Sequence, residues 1–141
     1  MVDRSDRTTI GRTKQDVYYS DFLDNLNKHP TTGLISRVVN ENSVKQSVKN
    51  LILTGTGERF FQPNVGGNLR RLLFEPLDLF TSNAIKNEIL QTIFNNEPRV
   101  ASADCTVQPD EANNAYRVSV TFTIRTIQNS TTFEIVLQRV R

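Results

Sequence analysis

Residues 94–105 read FNNEPRVASADC and set Glu97, Pro98 and Arg99 where a helical pattern gives way to an extended one. A glutamate and an arginine this close could do two kinds of chemistry. As a general acid, Glu97 could protonate a glycosidic oxygen, the reaction of a lysozyme-like peptidoglycan hydrolase. That reaction normally needs a second carboxylate about 5–10 Å away and a raised pKa on the acid. Arg99 favours the ionised carboxylate and so lowers the pKa. Asp104 and Glu88 are second carboxylates only by closeness in sequence. The single histidine, His29, precedes a proline, and nothing singles out a nucleophile for it. The residues therefore predict no enzyme, no metal site and no cofactor. The other chemistry is ionic bracketing. Pro98 fixes φ and has no N–H, so it breaks the helix and aims its two neighbours. The bracket can meet a complementary one on another chain through charge-assisted bidentate bonds. It can also close internally, for example from Glu97 to Arg59 or Arg70. Spacing alone favours the internal closure.

A second stretch invites a ligand. GTGERFFQPNVGGN (55–68) carries four glycines and a proline. A phosphate cradle needs a strand before it, a helix after it, and Lys followed by Ser or Thr at its end. Here a helix precedes, and Asn68-Leu69 follow Gly67. The loop is instead expected to be anchored to the core by Phe60 and Phe61, with Arg59 reaching across it. Cys105 is the only cysteine, which rules out an internal disulfide and reads as a small buried hydrophobe. The net charge is +2 and the basic residues are scattered, so there is no nucleic-acid footprint. No apolar run approaches the ~18 residues of a membrane span. Asn129-Ser130-Thr131 fits a glycosylation pattern, but MVDRSDRTTIGR has no apolar signal region. The expected setting is the inside of a cell.

The elements that must position these residues follow from periodicity. Residues 1–16 are polar and predict a mobile arm; 17–141 predict one domain, large enough to sustain a core. VYYSDFLDNLNKHP suits a short helix or an irregular packed segment, and GLISRVVN (33–40) a short strand. ENSVKQSVKNLILTG predicts a helix with Ser43 and Gln46 as a capping box, Val44, Val48, Leu51 and Ile52 on one face, and Gly55 past its end. Asn68 caps a short helix through Leu69, Leu72 and Leu73. SNAIKNEILQTIFNN predicts a second long helix, capped by Ser82 or Asn83, with a buried stripe of Ile85, Ile89, Leu90, Ile93 and Phe94. YRVSVTFTIR (116–125) alternates without a break, the pattern of a strand with one buried face. FEIVLQRVR returns as its partner in a hairpin spanning about 116–140, and VASADCTVQP supplies a third strand before the turn DEANN. The expected fold class is α+β in two layers: a three- to four-stranded, mainly antiparallel sheet against two long and one or two short helices.

The last strand has two readings. Phe133, Ile135 and Leu137 would face the core, while Val136 and Val140 fall on the side where solvent favours polar groups. The strand is either a solvated edge protected by Arg139 and Arg141, or one that receives another protein's strand.

The run ENSVKQSVKNLILTGTGERFFQPNVGGNLRRLLFEPLD (41–78), the helix 83–95 and NNEPRV (95–100) resemble baseplate wedge proteins of T-even-like contractile-tailed phages. These are sheath initiators related to a small baseplate subunit of type VI secretion systems. The resemblance spans about residues 17–141. It implies assembly rather than catalysis, although some members carry a lysozyme-like label. It implies that Glu97, Pro98 and Arg99 attach to the wedge core. It implies that Phe133, Glu134, Ile135, Val136, Leu137, Gln138, Arg139 and Val140 template the first sheath strands. Glu58 and Arg59 would lie near a partner. The implied partners are other wedge proteins, the tail sheath protein, and tube or hub proteins, with six copies around the tail axis and neither nucleic acid nor membrane. The implied location is the virion's tail baseplate, assembled in the host cytoplasm. The equivalent subunit of a bacterial contractile injection system fits the same mechanics.

Overall fold

The computed structural model describes residues 16–139. The predicted arm, apart from Asp16, lies outside them, as do Val140 and Arg141. Eight elements follow in chain order: β1 (Ser20–Phe22), β2 (Arg37–Val39), α1 (Asn40–Leu53), α2 (Leu69–Leu72), α3 (Leu79–Asn96), β3 (Val100–Asp110), β4 (Ala115–Ile124) and β5 (Ser130–Gln138). Strands β3, β4 and β5 form one antiparallel sheet in that spatial order, and β1 pairs with β2 in a separate small sheet. The helices cover one face of the larger sheet, giving the expected two-layer α+β architecture.

The sheet's register follows from β4. Tyr116, Val118, Val120, Phe122 and Ile124 are all fully buried. A slip of one residue would turn this whole set to solvent, at about 1.5–3 kcal/mol per side chain. Phe133, Ile135 and Leu137 of β5 join them, and Phe122 meets Phe133 edge-on at 6.1 Å. From the other layer come Val44, Val48 and Ile52 of α1 and Ile85, Ile89 and Ile93 of α3. Cys105 lies in this core, where burial pushes its thiol up to about 11, so it is the inert hydrophobe expected. The hydroxyl of buried Tyr116 donates to the carbonyl of Pro76 and ties the sheet to the α2–α3 connection.

Several local expectations are corrected. The segment at 17–30 forms no helix; it supplies β1, and Lys28 bridges to Ile35. Pairing with β2 overrides its weak helical spacing. Helix α1 begins earlier than expected, at Asn40 after Val39, so Ser43 and Gln46 form no capping box. Ser43 is buried with its hydroxyl unpaired, and Gln46 donates instead to the Phe22 carbonyl. Asn40, at φ 50°, takes the organising role: its side-chain oxygen accepts from Tyr18 N–H, and its amide donates to Asp16 O. Helix α3 is capped by Asp78, which accepts from Thr81 N–H at 2.6 Å, rather than by Ser82 or Asn83. Phe94 is half exposed, off the buried stripe. Asn68 makes no side-chain cap to α2; its N–H donates to Glu88. Gly55 is not the left-handed residue after α1; Gly57 and Gly66 are, farther along the loop.

Candidate functional site

The joint at 97–99 closes on itself. Glu97 caps the C-terminal end of α3, and its side chain turns inward until the residue is only 4% exposed. Arg99 grips it bidentately, Nε to Oε1 at 2.6 Å and Nη2 to Oε2 at 2.7 Å. Ser47 of α1 adds a third bond to Oε2 at 2.7 Å. The guanidinium lies 5.5 Å from the Tyr19 ring centre, and the Arg99 carbonyl accepts from Arg125 N–H. Thus the pair draws α1, α3, the N-terminal segment and the sheet to one point. Closure is internal, as spacing favoured, but the partners differ from those expected: Arg70 pairs with Glu58 at 3.6 Å, not with Glu97. Burial opposes ionisation of Glu97, yet the Arg99 and Ser47 bonds outweigh it and hold the carboxyl below its usual range. Such a carboxyl has no proton to give a leaving group at neutral pH. Ser47 and Tyr19 went unrecognised in the sequence, because no local spacing links them to position 97.

The second location is the outer edge of β5. Arg139 N–H donates to Asn114 O, and at the far end Ile124 N–H donates to Asn129 O. Bonded and non-bonded positions alternate in an antiparallel pair. With the register running from Ala115↔Gln138 to Thr123↔Ser130, these two bonds set the phase. Odd-numbered residues of β5 therefore turn their N–H and C=O groups to β4. Thr132, Glu134, Val136 and Gln138 turn theirs outward. Among the described residues, no strand lies beside them. Arg139 does not guard this edge: it folds back to donate to the Glu75 carbonyl. Val136 is 57% exposed on the open face. A cleft of about 280 Å³ opens beside this strand, lined in part by Ile52, Leu53, Leu69, Leu73, Val136 and Leu137.

The opposite edge is different. Continuing the alternation through Thr106↔Ser119 and Gln108↔Arg117 leaves Ala103, Cys105, Val107 and Pro109 facing outward on β3. Pro109 has no N–H to offer. The Cys105 N–H is taken by Asp104 Oδ1 at 2.8 Å. Lys86 of α3 reaches Asp104 at 3.1 Å. Asp104 projects from the solvent face and α3 packs on the other, so this ion pair straps across the edge. A register irregularity between Val100 and Ser102 bends the strand's start. Proline, bulge and charge are the devices that blunt an edge. Among the described residues, β5 has no proline, no register irregularity and no ion-pair strap, and its one charged side chain, Glu134, stands on the open face.

The third location is the loop after α1. Gly55 bridges to Gly67, Gly67 N–H donates to Thr54 O, and Gly57 N–H donates to Pro63 O. Glu58 folds back onto Gly55 N–H, and Arg59 is exposed. Phe60 and Phe61 do not anchor this loop: they are 98% and 99% exposed. The loop's own backbone bonds hold it closed, so no apolar anchor is required.

Residues 38–129 match the family model described as baseplate wedge protein gp25. Over 90 residues the chain is 29% identical to baseplate wedge protein gp25 of Enterobacteria phage T4, covering 64% of this chain and 68% of that one. Its fold is similar to a putative tail lysozyme from Geobacter sulfurreducens, with TM-score 0.66, 20% identity and coverage of 72% and 92% of the two chains. It is also similar to a chain of the anti-feeding prophage baseplate, with TM-score 0.59, 23% identity and 87% coverage of each. A chain of the type VI secretion system baseplate complex shares the fold at TM-score 0.52 and 16% identity, over 69% of this chain and 93% of that one. The matched region holds both long helices, the Glu-Pro-Arg joint and β3–β4, and on it the chain belongs to the baseplate wedge protein gp25 family of structural proteins of contractile tails.

Proposed function

We propose that this wedge protein starts tail sheath assembly by accepting a strand of the sheath protein along the outer edge of β5. The observation that carries the proposal is the contrast between the two sheet edges. Thr132, Glu134, Val136 and Gln138 present backbone donors and acceptors with no proline, bulge or ion-pair strap among the described residues, whereas β3 is strapped and carries a proline. Each backbone bond to an added strand contributes only about 1 kcal/mol net. Several per copy, repeated over six copies around the tail axis, make a firm first ring. The cleft beside Val136 and Leu137 suits an apolar side chain of the incoming strand. Phe133–Val140 is the template segment, of which Val140 lies outside the described residues.

Attachment to the other wedge proteins runs through the joint. Glu97 is occupied internally, so its part is to hold Arg99 and exposed Pro98 in a fixed direction toward the wedge core. Glu58 and Arg59 face a partner at the loop, a neighbouring wedge protein or a tube or hub protein. The protein works in the tail baseplate of a virion assembled in the host cytoplasm.

Two proline substitutions separate template from fold. Glu134→Pro removes an outward N–H and spares the β4 ladder, so a folded chain that enters baseplates without nucleating sheath is expected. Ile135→Pro removes an inward N–H and should unfold the chain. Full-length sheath on Glu134→Pro baseplates, seen by negative-stain microscopy, would refute the template role.

A further inference from the structure

The loop at 55–68 combines two properties that seldom coincide. Its backbone is fixed: Gly57 N–H, Gln62 N–H and Val65 N–H all donate within the loop, and its base is bridged. Gly66 sits at φ +114°, where a Cβ would come 2.4 Å from Thr54 O, so the closure depends on glycine. At the tip of this rigid frame, two adjacent phenylalanines contact almost nothing of their own chain. A flexible loop would lose ordering entropy when it docked; this one loses little. The charges at the tip differ in their pairing. Glu58 is paired with Arg70, while Arg59 is in no ion pair among the described residues.

Building on the assembly reading above, we infer that Phe60 and Phe61 form a plug that docks into an apolar socket on another baseplate protein. The socket is bordered by a carboxylate that meets Arg59, the residue next to the plug. Aromatic anchors entering a pocket, with arginines at the rim, are the pattern of an interface hot spot. A lipid surface is the weaker match. Electrostatic membrane recognition takes a cluster of about four to eight basic residues, and within 55–68 Arg59 is the one basic residue, beside Glu58.

The test uses the full chain in assembling tails. F60S/F61S should leave the melting temperature unchanged, since neither ring contributes to the core. The amount of this chain retained in purified baseplates should fall at least about tenfold, from the loss of two buried aromatic anchors. R59E should lower retention as well. A benzophenone amino acid in place of Phe61 should crosslink to a single baseplate protein, at a peptide rich in apolar and acidic residues. Wild-type retention of F60S/F61S, or crosslinking to lipid, would overturn the plug. Absence of the unaltered chain from baseplates would instead overturn the assembly reading on which the plug depends. Retention of F60S/F61S without sheath would give the two rings a part in sheath assembly rather than attachment and count against the plug.

Discussion

At the scale of single residues, the Glu97–Arg99 pair works first on the fold. With both carboxylate oxygens gripped by Arg99 and one also by Ser47, removing the guanidinium leaves a buried charge almost unpaired. Arg99→Ala should therefore destabilise the isolated protein by about 3 kcal/mol in a urea titration. A loss of wedge attachment in that variant would not by itself identify a contact. The same pair predicts a pH dependence. Glu97 has its carboxyl lowered from 4.5 on folding, so the native state binds fewer protons than the unfolded chain around and below that pH. The pair's stabilisation is full above about pH 4.5 and is lost as pH falls through the lower folded value. Stability measured from pH 6 to 3 should fall with a slope that is shallower in Glu97→Gln. An identical slope in both proteins would place the acid sensitivity elsewhere. The sequence made the pairing of Glu97 with an arginine legible, because a proline between two opposite charges limits where they can go. It did not make the choice of arginine legible. That choice depends on Ser47 and Tyr19, which reach the joint through tertiary packing.

At the scale of elements, regular periodicity was readable and exceptions were not. The strict alternation of β4 and the stripe Ile85, Ile89, Ile93 left little choice of buried face, and both are buried as read. The start of α3 is displaced because serine and aspartate caps are interchangeable in sequence, and Asp78 lies one turn before the expected start; α1 begins after Val39, which has no capping side chain to read. β2 lies inside the strand expected at 33–40, but β1 escaped because a three-residue strand has no period to detect. The glycine-rich loop was misread for a related reason: apolar residues in loops usually point inward, and this backbone closes without them. Gly66 is the residue on which that closure turns. Gly66→Ala should cost about 1–3 kcal/mol, since strained backbone and a Cβ against Thr54 O coincide there. Gly57→Ala is the matched control. It has φ +86° but open space around the added carbon, and it should cost less. Equal losses in denaturant midpoint would mean that the contact with Thr54 relaxes away and that the loop is softer than its hydrogen bonds indicate.

At the scale of the whole molecule, the sheet has one edge built to stay alone and one left open. A chain with two open edges could pair β5 of one copy with β3 of the next. Such head-to-tail contacts do not close on themselves and give open fibres. Pro109, the Asp104 side chain on Cys105 N–H, and the Lys86 strap block that route from the β3 side. On the template role proposed above, the blocked β3 edge keeps copies from consuming β5 head to tail. Restoring donors to β3 with Asp104→Ser and Pro109→Val should let the isolated protein polymerise, with light-scattering mass rising with concentration while the unaltered protein's does not. Adding Glu134→Pro should reverse the effect, because the other half of each contact would then lack its N–H. Polymer that survives the proline would have to form through another surface. A double variant that stays the same size as the unaltered protein would show that the strap and the proline are not what keeps copies apart.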